Sequence, residues 1–301
     1  QASKAIAPFV VPGNLVILES TSPVGTTEER VAKILQKAGH KVGVDVFVAH
    51  CPERVLPGKI LIELIQNDRI VGGINEKSTK VASEFYHTFV SGAVLETDAK
   101  TAELSKLTEN SFRDVNIAFA NELSMICDRE NIDVWDLISL ANRHPRVDIL
   151  QPGPGVGGHC IAVDPWFIID RTPSESKLIK TARLVNDSKP GWVISKITEK
   201  AAKFKNPIIT FLGLAFKANV DDLRESPALS IVKNINALGI GEILVCEPNI
   251  HSHADFDLTP FEEGIRLADI LVVLVDHKEF AALSAAKLSE KIVIDTRGVI
   301  K

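Results

Sequence analysis

The sequence predicts an α/β protein with two mostly parallel sheets separated by a region of long helices. Three observations carry the prediction. Short apolar runs bounded by turn residues alternate with amphipathic helical segments over residues 1–98. Residues 99–204 then carry long stretches of helical periodicity. From residue 205 to residue 301 the strand–helix alternation resumes.

The first strand is NLVILES (14–20), a continuous apolar run of the kind a buried parallel strand needs. TSPVGTTEERVAKILQKAG follows as a loop and a helix, with Thr26 or Thr27 placed to cap it and Glu28 and Glu29 in its first turn. DVFVAHCPERV (45–55), DRIVGG (68–73) and AVLETD (93–98) read as strands, and NEKSTKVASEFYHTFV as a helix. The opening APFVVPGNLVILEST reads as a helix end, a turn and a strand, so the expectation is that a large N-terminal piece precedes Gln1. From Ala99, AKTAELSKLTENSFRDVNIAFANELSMICDREN runs for over thirty residues without proline or glycine, and DVWDLISLANRH is a second helix. A third covers residues 174–204, with Pro190-Gly191 marking a start, a kink or a break. In the last region PIITFLGLAF, GEILVCEPN, ADILVVLVDH and KIVIDTRG are strands and ALSIVKNINALG a helix.

The 301 residues are 45% apolar and 24% charged, an ordinary globular balance for two or more domains. A net charge of -5 argues against broad nucleic-acid affinity, and no run approaches the length of a membrane span. Cys51, Cys127, Cys160 and Cys246 are far apart with no CxxC, which disfavours a disulfide framework or structural zinc and suits a cytoplasmic location.

The richest stretch is QPGPGVGGHCIAVDP (151–165). Its glycines superficially match a GxGxxG phosphate loop, but that motif follows a strand and opens a helix. Here a helix and a polar loop precede it. The other reading is a loop whose glycines allow close approach to a bulky ligand and project Cys160, with His159 and Asp164 supplying polarity. A buried, inert cysteine remains the plain alternative. Elsewhere, Lys106 and Asn110 share a helical face, Glu53 sits in CPERVLPG after a strand, and Thr21 lies at the C-terminal end of another, where open α/β sheets bind ligands. Lys217 and Arg224 in GLAFKANVDDLRESP suit a diphosphate. Taken singly, these are also a solvated lysine, a turn carboxylate and surface cations.

Together, STSPVGT, CPERVLPGK, AELSKLTENSFRDVNIAFANELS, GPGVGGHCIAVDPWF and GLAFKANVDDLRESP resemble the UDP-sugar 6-dehydrogenase family, over essentially the whole chain. The last four are nearest to its bacterial branch acting on UDP-N-acetyl-D-mannosamine, and His159 fits the N-acetylhexosamine enzymes. The resemblance implies two Rossmann-like domains joined by a long-helix central region: the C-terminal part of an NAD-binding domain over 1–98, a dimerising helical region with the cysteine loop over 99–204, and a UDP-binding domain over 205–301. It implies that the first domain is incomplete, its GxGxxG unit lying before Gln1.

The resemblance also implies a chemistry: oxidation of the sugar C6 alcohol to a carboxylate with NAD and no metal, in a homodimer. Cys160 would be the nucleophile, because a thiolate adds to an aldehyde and later leaves as a thioester is hydrolysed. Lys106 would stabilise the oxyanion, Asn110 orient the same oxygens, Asp164 and Thr21 position water or relay a proton, and Glu53 act as general base. A second glutamate of UDP-glucose dehydrogenases falls at Pro57 here. Phe216 and Lys217 would contact the nucleotide, with Gly157, His159, Arg297 and, across the dimer, Arg146 as further substrate contacts; Arg224 matches a residue that reaches the cofactor. Two other readings stay open: a UDP-sugar-binding fragment without redox activity, and a Cys-His hydrolase, which needs a histidine other than the adjacent His159.

Overall fold

The structure, a computed structural model, describes residues 1–55 and 60–300. The chain divides into two compact units, Gln1–Ser111 with Asp164–Ser176, and Phe112–Val163 with Lys177 onward.

The first unit runs α1 (Ala2–Ile6), β1 (Leu15–Leu18), a π-helical stretch Thr27–Ala32 continuing as α2 (Lys33–Lys37), β2 (Phe47–His50), α3 (Ile60–Gln66), β3 (Arg69–Gly73), α4 (Glu76–His87) and β4 (Val94–Asp98). The strands form one sheet in the order β1-β2-β3-β4. β1 pairs with β2 and β3 with β4 in parallel, whereas β2 and β3 run antiparallel. Strand–helix alternation does not fix the direction of a strand that follows a helix as short as α3. β1 is half-buried rather than buried because it is the sheet's edge; β2, inside the sheet, is buried throughout.

Neither threonine caps the helix at Thr27, contrary to the local sequence signal. The Thr26 hydroxyl donates to the Pro23 carbonyl, and the Thr27 hydroxyl donates to Glu103 Oε1 at 2.7 Å. Glu103, buried, also accepts from the backbone N–H groups of Thr27 and Gly25. A carboxylate distant in sequence thus satisfies the orphan donors of the helix start, where the helix dipole favours a negative charge. Glu103→Ala strands those buried donors, so we expect a loss of about 3 kcal/mol in urea unfolding, and a smaller loss for Glu103→Gln.

α5 (Ala99–Glu130) is the predicted long helix, 32 residues, contributing its first part to the first unit and the rest to the second. α6 (Val134–Ala141) follows, its N-terminus capped by Asp133. α7 (Asp164–Arg171) belongs to the first unit, where Arg171 pairs with Glu29 at 2.6 Å. α8 (Lys177–Ala201) runs unbroken through Pro190, so Pro190-Gly191 neither starts nor ends it. Proline removes one N–H, and the packing of Val193, Ile197 and Ala201 into the core holds the helix together across it.

The second unit ends in β5 (Ile208–Leu212), α9 (Pro227–Leu238), β6 (Glu242–Cys246), α10 (Phe261–Leu267), β7 (Ile270–Val273) and β8 (Ile292–Asp295). This sheet is parallel throughout, in the order β6-β5-β7-β8. Ile209, Phe211, Ile270 and Val272 face α8 and α9, while Leu212, Leu271 and Val273 face Phe280 and Leu283. Burial on both faces explains the continuous apolar runs. Ser226 caps α9 through Leu229 N–H, and Gly239 ends it in the left-handed region.

Candidate active site

Cys160 lies in the irregular segment between α6 and α7. It is exposed, as is His159, whereas Cys51, Cys127 and Cys246 are buried. Burial pushes those three thiols up, Cys246 to about 12, which marks them as inert. The glycines of the cysteine loop are packed against other segments of the second unit, to which the loop itself belongs. A Cβ at Gly158, whose φ is +80°, would lie 2.9 Å from the Phe216 ring, and one at Gly157 would lie 2.6 Å from the Glu225 carbonyl oxygen. No strand precedes residues 153–158 and no helix opens within them, α7 beginning only at Asp164, so the cofactor-loop reading gives way to a loop bent over Phe216. Gly157→Ala is expected to weaken UDP binding about tenfold, measured by calorimetry, because a backbone oxygen cannot move aside like a side chain.

Phe216 and Lys217 sit in the loop after β5, and with Arg297 they line one hollow beside Gly155. A buried pair fixes that loop. Glu247 Oε2 accepts from the N–H groups of Leu214 (2.7 Å) and Ala215 (3.1 Å) and from His277 Nε2 (3.0 Å). His277 Nδ1 accepts from Asn219 N–H at 2.9 Å, so in neutral His277 the proton sits on Nε2. Burial alone would raise the Glu247 carboxyl; the His277 bond and the amides of Leu214 and Asn249 outweigh it and hold the group at about 2. Sequence reasoning missed this pair. Its only trace is an acidic residue directly after a parallel strand, where dinucleotide folds read a ribose; here the carboxylate is committed to backbone amides and His277 instead.

Two of the predicted cations, Arg297 and Arg224, are already partnered. Arg297 donates to Asp276 at 2.8 Å. Exposed Arg224 pairs with Asp222 at 2.6 Å, and that bond draws the Asp222 carboxyl down to about 2. Arg224 is also within electrostatic range of Cys160, and Asp222 within range of His159. Arg146 is not brought to Phe216. It lines a separate, largely apolar hollow of about 610 Å³ with Phe112, Phe119, Leu178 and Val185.

In the first unit, Lys106 and Asn110 lie one turn apart on α5. Asn110 is buried and its Nδ2 donates to Asp164 Oδ2 at 2.5 Å, which joins two predicted residues at the first turn of α7. Lys106 is half-buried and its ammonium has no partner among the described residues. Thr21 is half-buried beyond β1, and beside it the buried Ser22 hydroxyl has no hydrogen-bond partner among the described residues. Glu53 Oε1 accepts from the N–H groups of Arg54 (2.7 Å) and Val55 (3.0 Å) and from Arg69 (3.5 Å), so one carboxylate oxygen does serve a turn. Pro57 lies outside the described residues.

Three models of one family tile this chain: the NAD binding domain over residues 1–90, the central domain over 100–188 and the UDP binding domain over 210–301 of the UDP-glucose/GDP-mannose dehydrogenase family. The chain belongs to that family. It is therefore an NAD-dependent UDP-sugar dehydrogenase. It is 54% identical to an NDP-N-acetyl-D-galactosaminuronic acid dehydrogenase of Ralstonia solanacearum, over 99% of this chain and 73% of that protein. It is 53% identical to a UDP-N-acetyl-D-mannosamine dehydrogenase of Campylobacter jejuni, over 95% of this chain and 74% of the relative. Among solved structures, UDP-N-acetyl-mannosamine dehydrogenase from S. aureus matches with a TM-score of 0.89 and 44% identity, over all of this chain and 72% of that one. For the nicotinamide cofactor, the described residues offer Thr21 and the orphan Ser22 hydroxyl at the C-terminal end of β1. A strand–glycine loop–helix for the pyrophosphate is not formed among the described residues. No helix among them is long and apolar enough to cross a membrane.

Proposed function

We propose that this dehydrogenase oxidises the C6 alcohol of a UDP-N-acetylhexosamine, foremost UDP-N-acetyl-D-mannosamine, to the uronate. The product would serve a surface polysaccharide of the enterobacterial common antigen type. The carrying observation is the exposed Cys160 in a loop folded over Phe216, whereas the three other thiols are buried. The oxidation uses two NAD molecules, each of which, when bound, would accept one of the two hydrides the substrate loses. Cys160 Sγ bonds to C6 of the intermediate aldehyde, whose oxygen becomes the thiohemiacetal hydroxyl; loss of the C6 hydride and the hydroxyl proton leaves a thioester. Water then breaks the S–C6 bond, releasing the carboxylate and returning the thiol. Lys106 supports the developing oxyanion, and Asn110, held by Asp164, orients it. Asp164 and Thr21 place the water, and Glu53 takes its proton through Oε2. Phe216, Lys217, Gly157, His159 and Arg297 hold the UDP-sugar, with Arg146 reaching it in a homodimer and Arg224 facing the cofactor.

The functional regions in this reading are residues 1–98 for NAD, 99–204 for dimerisation and the cysteine loop, and 205–301 for UDP. Phe112 (67% exposed), Phe119 and Leu178 form an apolar face that supports a second copy as the dimer partner. Free thiols fit a reducing cytoplasm.

A second reading is favoured by the R. solanacearum relative: a substrate of the N-acetylgalactosamine series. UDP-N-acetylglucosamine and UDP-glucose follow. The test is NADH formation across the four UDP-sugars. UDP-N-acetyl-D-mannosamine should give the highest kcat/KM, and a preference for UDP-glucose would overturn the N-acetylhexosamine assignment. Titration with UDP and with NAD separates an enzyme from a binding fragment, since UDP binding without NAD binding supports the fragment.

A further inference from the structure

The second unit holds a buried polar network to which the reaction assigns no role. On α5, Asp114 and Asn121 lie two turns apart on one face; on α8, Arg183 and Asn186 lie one turn apart. All four are at most 1% exposed. Asn186 Nδ2 donates to Asp114 Oδ1 at 2.8 Å, and Arg183 Nη1 donates to the same oxygen. Arg183 Nη2 reaches Asp187 at 2.9 Å, and Asn121 Nδ2 donates to Asn186 Oδ1 at 2.9 Å. Burying such groups is costly even when they are paired, and two helices pack more cheaply through apolar residues.

What the network adds is a hold on the loop above it. Asn121 Oδ1 accepts the Gly153 N–H at 2.9 Å, and Arg183 Nη1 donates to the Ile161 carbonyl at 3.4 Å. Gly153 and Ile161 are the two ends of the glycine-rich segment that bends over Phe216, and Ile161 directly follows Cys160. Asn116 makes a similar pair of bonds further upstream, to Leu150 N–H and the Asp148 carbonyl, outside that segment.

We propose that Asn121 and Arg183 are positioning residues for Cys160: they fix both ends of its loop to α5 and α8, so that the bend between them presents the thiol at one place. Asp114 and Asn186 hold these two side chains in turn. The inference rests on Cys160 as the nucleophile. A misplacement of about 1 Å at a reacting atom costs on the order of a hundredfold in rate, while the UDP contacts on Phe216 and Lys217 stay in place.

The test compares Asn121→Ala, which leaves the Arg183–Asp114 pair intact, with Arg183→Lys, which keeps a cation beside Asp114. A single ammonium cannot serve Asp114, Asp187 and the Ile161 carbonyl together. In both variants kcat should fall about 10- to 100-fold with KM for the UDP-sugar within about threefold of the parent. Amide hydrogen exchange over residues 153–161 should quicken about tenfold or more while exchange in α8 is unchanged. An unchanged kcat, unchanged loop exchange, or quickened exchange throughout α5 and α8 overturns the proposal. A Cys160→Ser protein that still turns over refutes the nucleophile reading instead, and the exchange measurement still reports whether the two side chains hold the loop.

Discussion

Cys160→Ser should lower steady-state NADH formation by about a thousandfold or more while leaving UDP affinity within about twofold of the parent. Two structural facts separate these outcomes. The thiol is exposed, so replacing it with the smaller hydroxyl opens no cavity in a core. Within the second unit, Gly157 and Gly158 pack the loop against Glu225 and Phe216, and the substitution leaves those contacts in place. A serine hydroxyl has no comparable tendency to ionise. The hemiacetal it would form also lacks the leaving-group quality of a thiolate. The same geometry predicts that a thiol reagent reacts rapidly with one cysteine of the four in the folded protein and with the others only on unfolding. Turnover by the serine variant at more than about a tenth of the parental rate would sink covalent catalysis at this position.

Much of the fold was legible because its strands are short apolar runs between turn residues. β5, β7 and β8 announce themselves as IITFL, ILVV and IVID, and the 32-residue α5 as an uninterrupted periodic stretch. What could not be read were choices settled by distant partners. Thr26 and Thr27 carry the chemistry of a helix cap, yet Glu103 takes that role from another helix. Pro190 carries the chemistry of a break, yet core packing on its C-terminal side keeps α8 whole. The site divides along the same line. Cys160, Lys106, Asn110 and Asp164 stand out by residue type and spacing, and the Asn110–Asp164 bond joins two of them. The Asp276 that occupies Arg297 and the His277 that completes Glu247 come from other segments, so an isolated motif cannot reveal them. Asp114, Asn121, Arg183 and Asn186 did leave a signal, as polar residues on helix faces that repeat with helical spacing toward the core, but that signal does not say what they hold.

Lys189→Met should stabilise the protein at pH 6 by about 2 kcal/mol, a gain that fades as the pH is raised toward 10. Lys189 is 2% exposed on α8, with its ammonium against the Ser124 hydroxyl and 3.8 Å from the centre of the Trp192 ring. Burial pushes its pKa down from 10.5 to about 7; Asp128, itself paired with Lys196, offsets only part of this. The sign follows. Below about pH 7 both the folded and the unfolded lysine carry the proton, and the folded state bears the whole desolvation cost. Between about 7 and 10.5 the unfolded chain holds a proton that the folded protein has released, so stability rises with pH and the cost disappears above that window. The full shift corresponds to about 5 kcal/mol as an upper bound. Methionine keeps the length of the apolar stem but forfeits the Ser124 hydrogen bond and the indole contact, which leaves the smaller net gain. Urea unfolding at pH 6 and pH 9.5 tests the difference. Equal curves for parent and variant at pH 6 would mean that the ammonium is solvated in the folded protein. A gain confined to low pH would locate the cost in the charge rather than in the packing. It would also show that this family member keeps an unpaired cation beneath Trp192 at the expense of its own stability, in the same pair of helices whose Arg183 and Asn121 hold the cysteine loop.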